Sequence, residues 1–213
     1  MKLKSNIPEG RLEARYNKGD GTAPPLALLL HPHPKHGGTM NNKVIYNCFK
    51  TLSSLGFSVL RFNYRGVGNS EGIYSGDEGI GEMTDAACAL DWLLFNNTSS
   101  TKVWVVGFSF GAFISLNLLM RRPEIHTFIC ISPPADKYDF NFLAPCPVSG
   151  LIIQGDSDDI VNETDVALFA NKLDSQNAIT VKYKKIKNAD HFFTDKLNLV
   201  SEEIEKYIKK ILD

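Results

Sequence analysis

The chain has almost no net charge. Its 213 residues carry 23 Lys and Arg against 24 Asp and Glu, a formal balance of −1. No basic stretch breaks that balance, so the electrostatic footprint of a nucleic-acid partner is missing. Long apolar runs are missing too, since none approaches the ~18 residues of a membrane span. The opening stretch, Met1 to Pro8, holds no apolar core of the kind a secretory leader needs. Cysteine is sparse: Cys48, Cys88, Cys130 and Cys146 are scattered through mostly apolar surroundings. They read as buried free thiols of a reducing compartment, not as a disulfide framework or a zinc knot. Internal repeats, low-complexity segments and linker-like shifts of composition are also absent. These absences leave one expected domain over residues 1–213, cytoplasmic, with no nucleic-acid or membrane partner. Nothing in the sequence indicates a homo-oligomer. The length suits one sizeable core.

What is present is an alternation of strand-like and helix-like patterns. Residues 11–16 alternate apolar Leu12, Ala14 and Tyr16 with charged Arg11, Glu13 and Arg15, as in a half-exposed edge strand. Leu26–Leu30, Phe57–Tyr64, Val103–Val106, Thr127–Ser132 and Leu151–Ile153 are short apolar runs that read as buried strands. Ile179, Val181 and Tyr183 alternate, as in a strand nearer the edge. Between the runs, apolar residues recur at helical spacing over 43–55, from Met83 to Leu94, from Ala112 to Met120 and from Val166 to Leu173. The chain closes on the amphipathic series Leu197, Val200, Ile204, Ile208 and Ile211. The order implies an α/β fold: a doubly wound, mostly parallel sheet with helices on both faces. Arg65-Gly66-Val67-Gly68 stops the Phe57–Tyr64 strand, and a polar, Gly-rich loop follows to about Gly79. The segment Pro133–Pro147 is the one candidate for a lid, and it is too short for a separate cap domain.

The chemistry concentrates at Gly107-Phe108-Ser109-Phe110-Gly111. This G-x-S-x-G stands between a buried strand and a buried helix, the context in which the serine is lifted clear of the sheet as a nucleophile. A serine hydroxyl needs a base within hydrogen-bond reach, and the base needs an orienting acid. His191 follows the strand centred on Val181 and precedes the final helix, which suits the base. The acid is expected in the Asp156-Ser157-Asp158-Asp159 cluster after the Leu151–Ile153 strand, and the residues alone leave the choice within it open. Asp190 adjoins His191 and would have to fold back on its own neighbour. One oxyanion donor is the Phe110 N–H. The other is expected after Leu30, where Pro32 and Pro34 have no N–H and leave His33 between them as the donor of the loop start.

In this order of residues the chain resembles the α/β-hydrolase family. The resemblance spans nearly the whole chain. It rests on the Ser109, Asp158, His191 order, on Leu-Leu-His-Pro-His at the start of the oxyanion loop, and on Phe62-Asn63-Tyr64-Arg65-Gly66-Val67-Gly68-Asn69-Ser70-Glu71-Gly72. The stretch His31–Lys43 is similar to a small bacterial subgroup near the dienelactone-hydrolase-like proteins. The dienelactone hydrolases themselves use Cys where this elbow holds Ser109. The resemblance implies Asp158 as the acid, three residues beyond the strand-ending Gly155, and His191 as the base.

The resulting expectation is a serine hydrolase, carboxylesterase-like, that cleaves a small ester or related acyl compound through an acyl-enzyme, with no cofactor. Met40, Phe140, Phe142 and Phe192 are the expected walls of its substrate site. Two other readings compete. One is a hydrolase fold kept as a non-catalytic binding or scaffold module. The other is a metal-dependent hydrolase using His31, His33 and His36, which Lys35 opposes by putting a cation among the imidazoles.

Overall fold

The computed structural model describes residues 10–74, 76 and 79–212, and residues 2–7 as a backbone strand. Residues 75, 77 and 78 of the Gly-rich loop lie outside the described residues. Among the described residues the strands are β1 (Lys2–Ile7), β2 (Gly10–Asn17), β3 (Leu26–Leu30), β4 (Ser58–Phe62), β5 (Val103–Phe108), β6 (Thr127–Ile131), β7 (Gly150–Gly155) and β8 (Val181–Ile186). The helices are α1 (Lys43–Ser54), α2 (Ile80–Phe95), α3 (Phe110–Leu119), α4 (Glu163–Asp174) and α5 (Leu197–Leu212). The strands form one sheet in the order β1-β2-β4-β3-β5-β6-β7-β8. From β4 to β8 every pairing is parallel, while β1 and β2 join antiparallel.

The apolar runs are continuous because both faces of the sheet are covered. In β3, Leu26, Leu28 and Leu30 enter one core, under α2, α3 and α4; Ala27 and Leu29 enter the other, under α1 and α5. In β5, Val103 and Val105 face the first core while Trp104, Val106 and Phe108 face the second. Each such side chain contributes about 1.5–3 kcal/mol when fully buried. Helix starts are set by asparagine caps: the Asn42 side chain accepts from the Val44 N–H, and that of Asn162 from Thr164 and Asp165. No described helix is long and apolar enough to cross a membrane.

One expectation is corrected here. The strand at residues 11–16 is not the edge, because β1 pairs along its outer side. The β1 sequence shows no period of two, and its pairing slips between Leu3 and Ile7, so the alternation that marks a strand is interrupted.

Candidate active site

Five loops meet beyond the carboxyl ends of the parallel strands, where sites in such sheets lie. They follow β3, β5, β6, β7 and β8. Ser109 follows β5 directly and sits at the N-cap of α3, with φ 54 and ψ −121. A side chain at positive φ is strained, and the turn holds it there by close packing. A Cβ on Gly107 would stand 2.3 Å from the Gly111 carbonyl, and one on Gly111 would stand 2.1 Å from that of Leu30. Both glycines are therefore required by backbone approach. The Ser109 side chain caps nothing, although serine at an N-cap normally does.

The loop after β7 delivers Asp158 to the loop after β8. The Asp158 Oδ2 lies 2.8 Å from His191 Nδ1, and both side chains are buried. Further donors fix the carboxylate: Ile160 N–H at 2.9 Å and Val161 N–H at 2.8 Å to Oδ1, and Gln154 Nε2 at 2.9 Å to Oδ2. Burial alone would push this carboxyl up. The hydrogen bonds from His191 and from Val161 and Ile160, with the imidazole's charge, outweigh it and hold Asp158 below the usual carboxylate range. Asp156 faces elsewhere, its Oδ1 accepting from the Asn188 N–H at 2.6 Å. Asp190 accepts from Thr194.

Ser109, His191, Phe110 and His33 line one cleft of about 500 Å³. No hydrogen bond joins Ser109 Oγ to His191 here, and such contacts often tighten only with substrate bound. The backbone N–H groups of Phe110 and His33 have no acceptor among the described residues. The two residues touch through their rings, with centroids 4.7 Å apart. The His33 ring is locked, its Nδ1 accepting from the Lys35 N–H at 3.1 Å and its Nε2 lying 3.3 Å from the Tyr74 hydroxyl. Burial, with His36 and Lys35 nearby, pulls the His33 imidazole down from its ordinary range, so it is neutral at pH 7.

The three histidines of the metal reading do not converge on an ion. His31 is buried, with Nδ1 2.7 Å from the Pro32 carbonyl and Nε2 accepting from the Tyr64 N–H at 3.1 Å. Among the described residues no group of three His, Cys, Asp or Glu side chains is placed to hold a metal.

Of the expected wall residues, Phe192 lines the cleft, whereas Met40, Phe140 and Phe142 do not. Met40 is drawn into the interior because its N–H donates to Asn63 Oδ1 and its carbonyl accepts from Arg61. Phe140 and Phe142 pack their rings on Phe113 instead. Tyr138, another aromatic of the Pro133–Pro147 segment, does line the cleft, beside Lys137, Ile160 and Val161, which the sequence reading missed. Gln154 was missed as well. A polar residue in an otherwise apolar strand was the available signal for it.

A serine held at positive φ on a strand–turn–helix, at the carboxyl edge of this sheet, defines an α/β hydrolase. Residues 12–206 match the family model described as X-Pro dipeptidyl-peptidase (S15 family), and the chain belongs to that family. It is 51% identical over 207 residues to the uncharacterized protein RP471 of Rickettsia prowazekii, covering 95% of this chain and 86% of that one. A crystal structure of a protein of unknown function from Agrobacterium tumefaciens superposes with TM-score 0.94 at 45% identity, covering 100% of this chain and 95% of that one. A Xanthomonas campestris protein described as an a/b serine hydrolase without lid gives TM-score 0.86 at 31% identity, covering 99% and 94%.

Proposed function

We propose that this protein is a serine hydrolase that cleaves a small carboxylic ester through an acyl-enzyme. The observation that carries the reading is the 2.8 Å contact between Asp158 and His191 Nδ1, beside a serine lining the same cleft. With Nδ1–H donating to the carboxylate, Nε2 is left as the basic nitrogen. Ser109 Oγ attacks the ester carbonyl as His191 Nε2 takes its proton. The negative charge that develops on the carbonyl oxygen is met by the N–H groups of Phe110 and His33, at the positive end of α3. His191 returns the proton to the departing alcohol. Water then attacks the acyl-enzyme with His191 again as base, which releases the carboxylic acid and restores Ser109.

This reading keeps the chain near the dienelactone-hydrolase-like subgroup that His31–Lys43 resembles, and in the cytoplasm, where its four free cysteines stay reduced. The activity in the family's name is disfavoured. An X-Pro dipeptidyl substrate presents a free N-terminal ammonium, and among the described residues the cleft is lined by Lys137 with no Asp or Glu. The test is labelling by a fluorophosphonate probe, together with turnover of p-nitrophenyl butyrate. Both should occur in the wild-type protein and vanish in Ser109→Ala. A protein that neither labels nor turns over is the non-catalytic scaffold instead.

A further inference from the structure

The cleft beside Ser109 is uneven in charge. Lys137 stands on its wall, and among the described residues no Asp or Glu lines it. Among the described residues, the carboxylates of the turns after β7 and β8 are engaged: Asp158 with His191, Asp156 with Asn188 and Asp190 with Thr194. The exposed Asp136, Asp139 and Asp159 do not line the cleft.

Lys137 is exposed, yet it is tethered. Its Nζ donates to the Ile160 carbonyl at 2.6 Å, and its backbone N–H donates to that of Pro134 at 3.1 Å. The first bond ties the segment after β6 to the turn that carries Asp158. Holding a flexible ammonium in one place at the rim removes part of the ordering cost of a later contact. An ammonium has three donors. Ile160 takes one, and the others have no acceptor among the described residues. The positive end of α3 reinforces the same sign at the cleft.

We propose that the substrate of this site carries a carboxylate a few bonds from its scissile ester, and that Lys137 binds that carboxylate. The proposal rests on the Ser109 hydrolase reading and adds a substrate class to it. Half-esters of small dicarboxylic acids present the anion on the acyl side; esters of hydroxybenzoates present it on the alcohol side. Both place an anion within reach of the same rim.

The experiment compares two matched pairs of esters. Mono-4-nitrophenyl adipate is set against 4-nitrophenyl hexanoate, and 3-butyryloxybenzoate against phenyl butyrate. In the wild-type protein at low salt, kcat/KM should favour the anionic member of at least one pair, and which pair responds identifies the side that faces Lys137. Lys137→Met should lower that anionic-to-neutral ratio about tenfold, the loss expected for one charge-assisted hydrogen bond at a partly screened position. Most of the change should fall in KM, because the contact is made equally in ground and transition states. Lys137→Arg should keep the preference, and Lys137→Glu should lower it further. Added NaCl should erode the preference in the wild type and leave Lys137→Met flat.

A ratio near one in both pairs, or one that Lys137→Met leaves unchanged, overturns the carboxylate proposal while Ser109-dependent turnover of the neutral esters stands. If no ester is cleaved in a Ser109-dependent way, the hydrolase reading falls, and the proposal falls with it.

Discussion

Ser109 combines three things that rarely coincide in a structural serine: positive φ, an N-cap position without a capping bond, and a place on the cleft wall. Its hydroxyl contributes little to packing. Ser109→Ala is therefore expected to keep the fold while kcat falls by about 10⁶-fold. Steady-state kinetics on p-nitrophenyl butyrate, with circular dichroism of the same sample, checks both halves. The acid can be separated from its neighbours in the same way. Asp158 is the one carboxylate in its cluster that meets His191, and its job is to hold the imidazole with Nε2 free. Asp158→Asn should lower kcat roughly 10⁴-fold by removing that acceptor. Asp156→Asn should do far less to kcat, since its carboxylate braces the Asn188 N–H. An equal loss in both variants would mean that the cluster acts through loop structure and not through His191.

At the scale of elements, the loops that carry the site are fastened from behind. Glu13 on β2 accepts from Asn63 Nδ2 and from the Asn69 N–H, and Ser70 Oγ donates to the Asn63 carbonyl. Asn63 Oδ1 in turn holds the Met40 N–H. The Phe62–Gly72 motif thus serves to anchor the loop after β4 against β2 and the loop after β3. Arg65 and Asp85 form a buried ion pair at 2.8 Å that clamps the same loop to α2. The His31 ring joins β3 to β4 through Tyr64 and has a testable titration. Burial takes its imidazole from the ordinary 6.5 down to about 3, against a smaller opposing effect of the Pro32 carbonyl. In the unfolded chain that ring accepts a proton below about 6.5, while in the folded chain it does not until about 3. The unfolded state therefore binds more protons across this window. The stability tied to His31 is complete above pH 6.5 and is lost as pH falls toward 3. The slope is up to about 1.4 kcal/mol per pH unit. Urea midpoints between pH 7.5 and 4.5 should fall more steeply for the wild type than for His31→Gln, which keeps an acceptor for the Tyr64 N–H but cannot titrate. Parallel curves would show that His31 is not a source of the acid sensitivity.

Across the whole molecule, the sheet and its two cores leave the substrate a cleft of about 500 Å³. Beside it lies a smaller hollow of about 240 Å³ that is lined in part by Phe140 and Phe169. Tyr138 borders both and is stacked on Phe113 with ring centroids 4.3 Å apart, so an acyl chain meets an aromatic wall and not a tunnel. Each methylene that fits inside contributes about 0.8 kcal/mol, and each one that protrudes contributes almost nothing. Activity on p-nitrophenyl esters should therefore peak between about C2 and C6 on that argument. Efficiency still rising at C12 would mean that Tyr138 swings aside and joins the two spaces.

The sequence by itself determined the parts that follow from local sterics and periodicity. Leu26–Leu30 and Val103–Val106 had to be strands buried on both faces, α1 and α5 had to present one apolar stripe, and Gly107 to Gly111 had to make a sharp turn with Ser109 at its apex. The order of strands and helices was legible for the same reason. Only the tertiary structure decided which side chains meet. Asp156 and Asp158 differ by two positions in one turn, and the choice between them depends on a contact with His191, 33 residues away. Met40 carried an apolar side chain suited to a substrate wall, yet its N–H donates to Asn63 and its carbonyl accepts from Arg61, both more than 20 residues on, and these bonds pull its backbone inward. Lys137 gave no periodic signal, and its place on the cleft comes from one bond to Ile160. Residue type and spacing limit what each segment can become. Contacts between distant segments depend on how the loops close, and the backbone near each residue does not encode that.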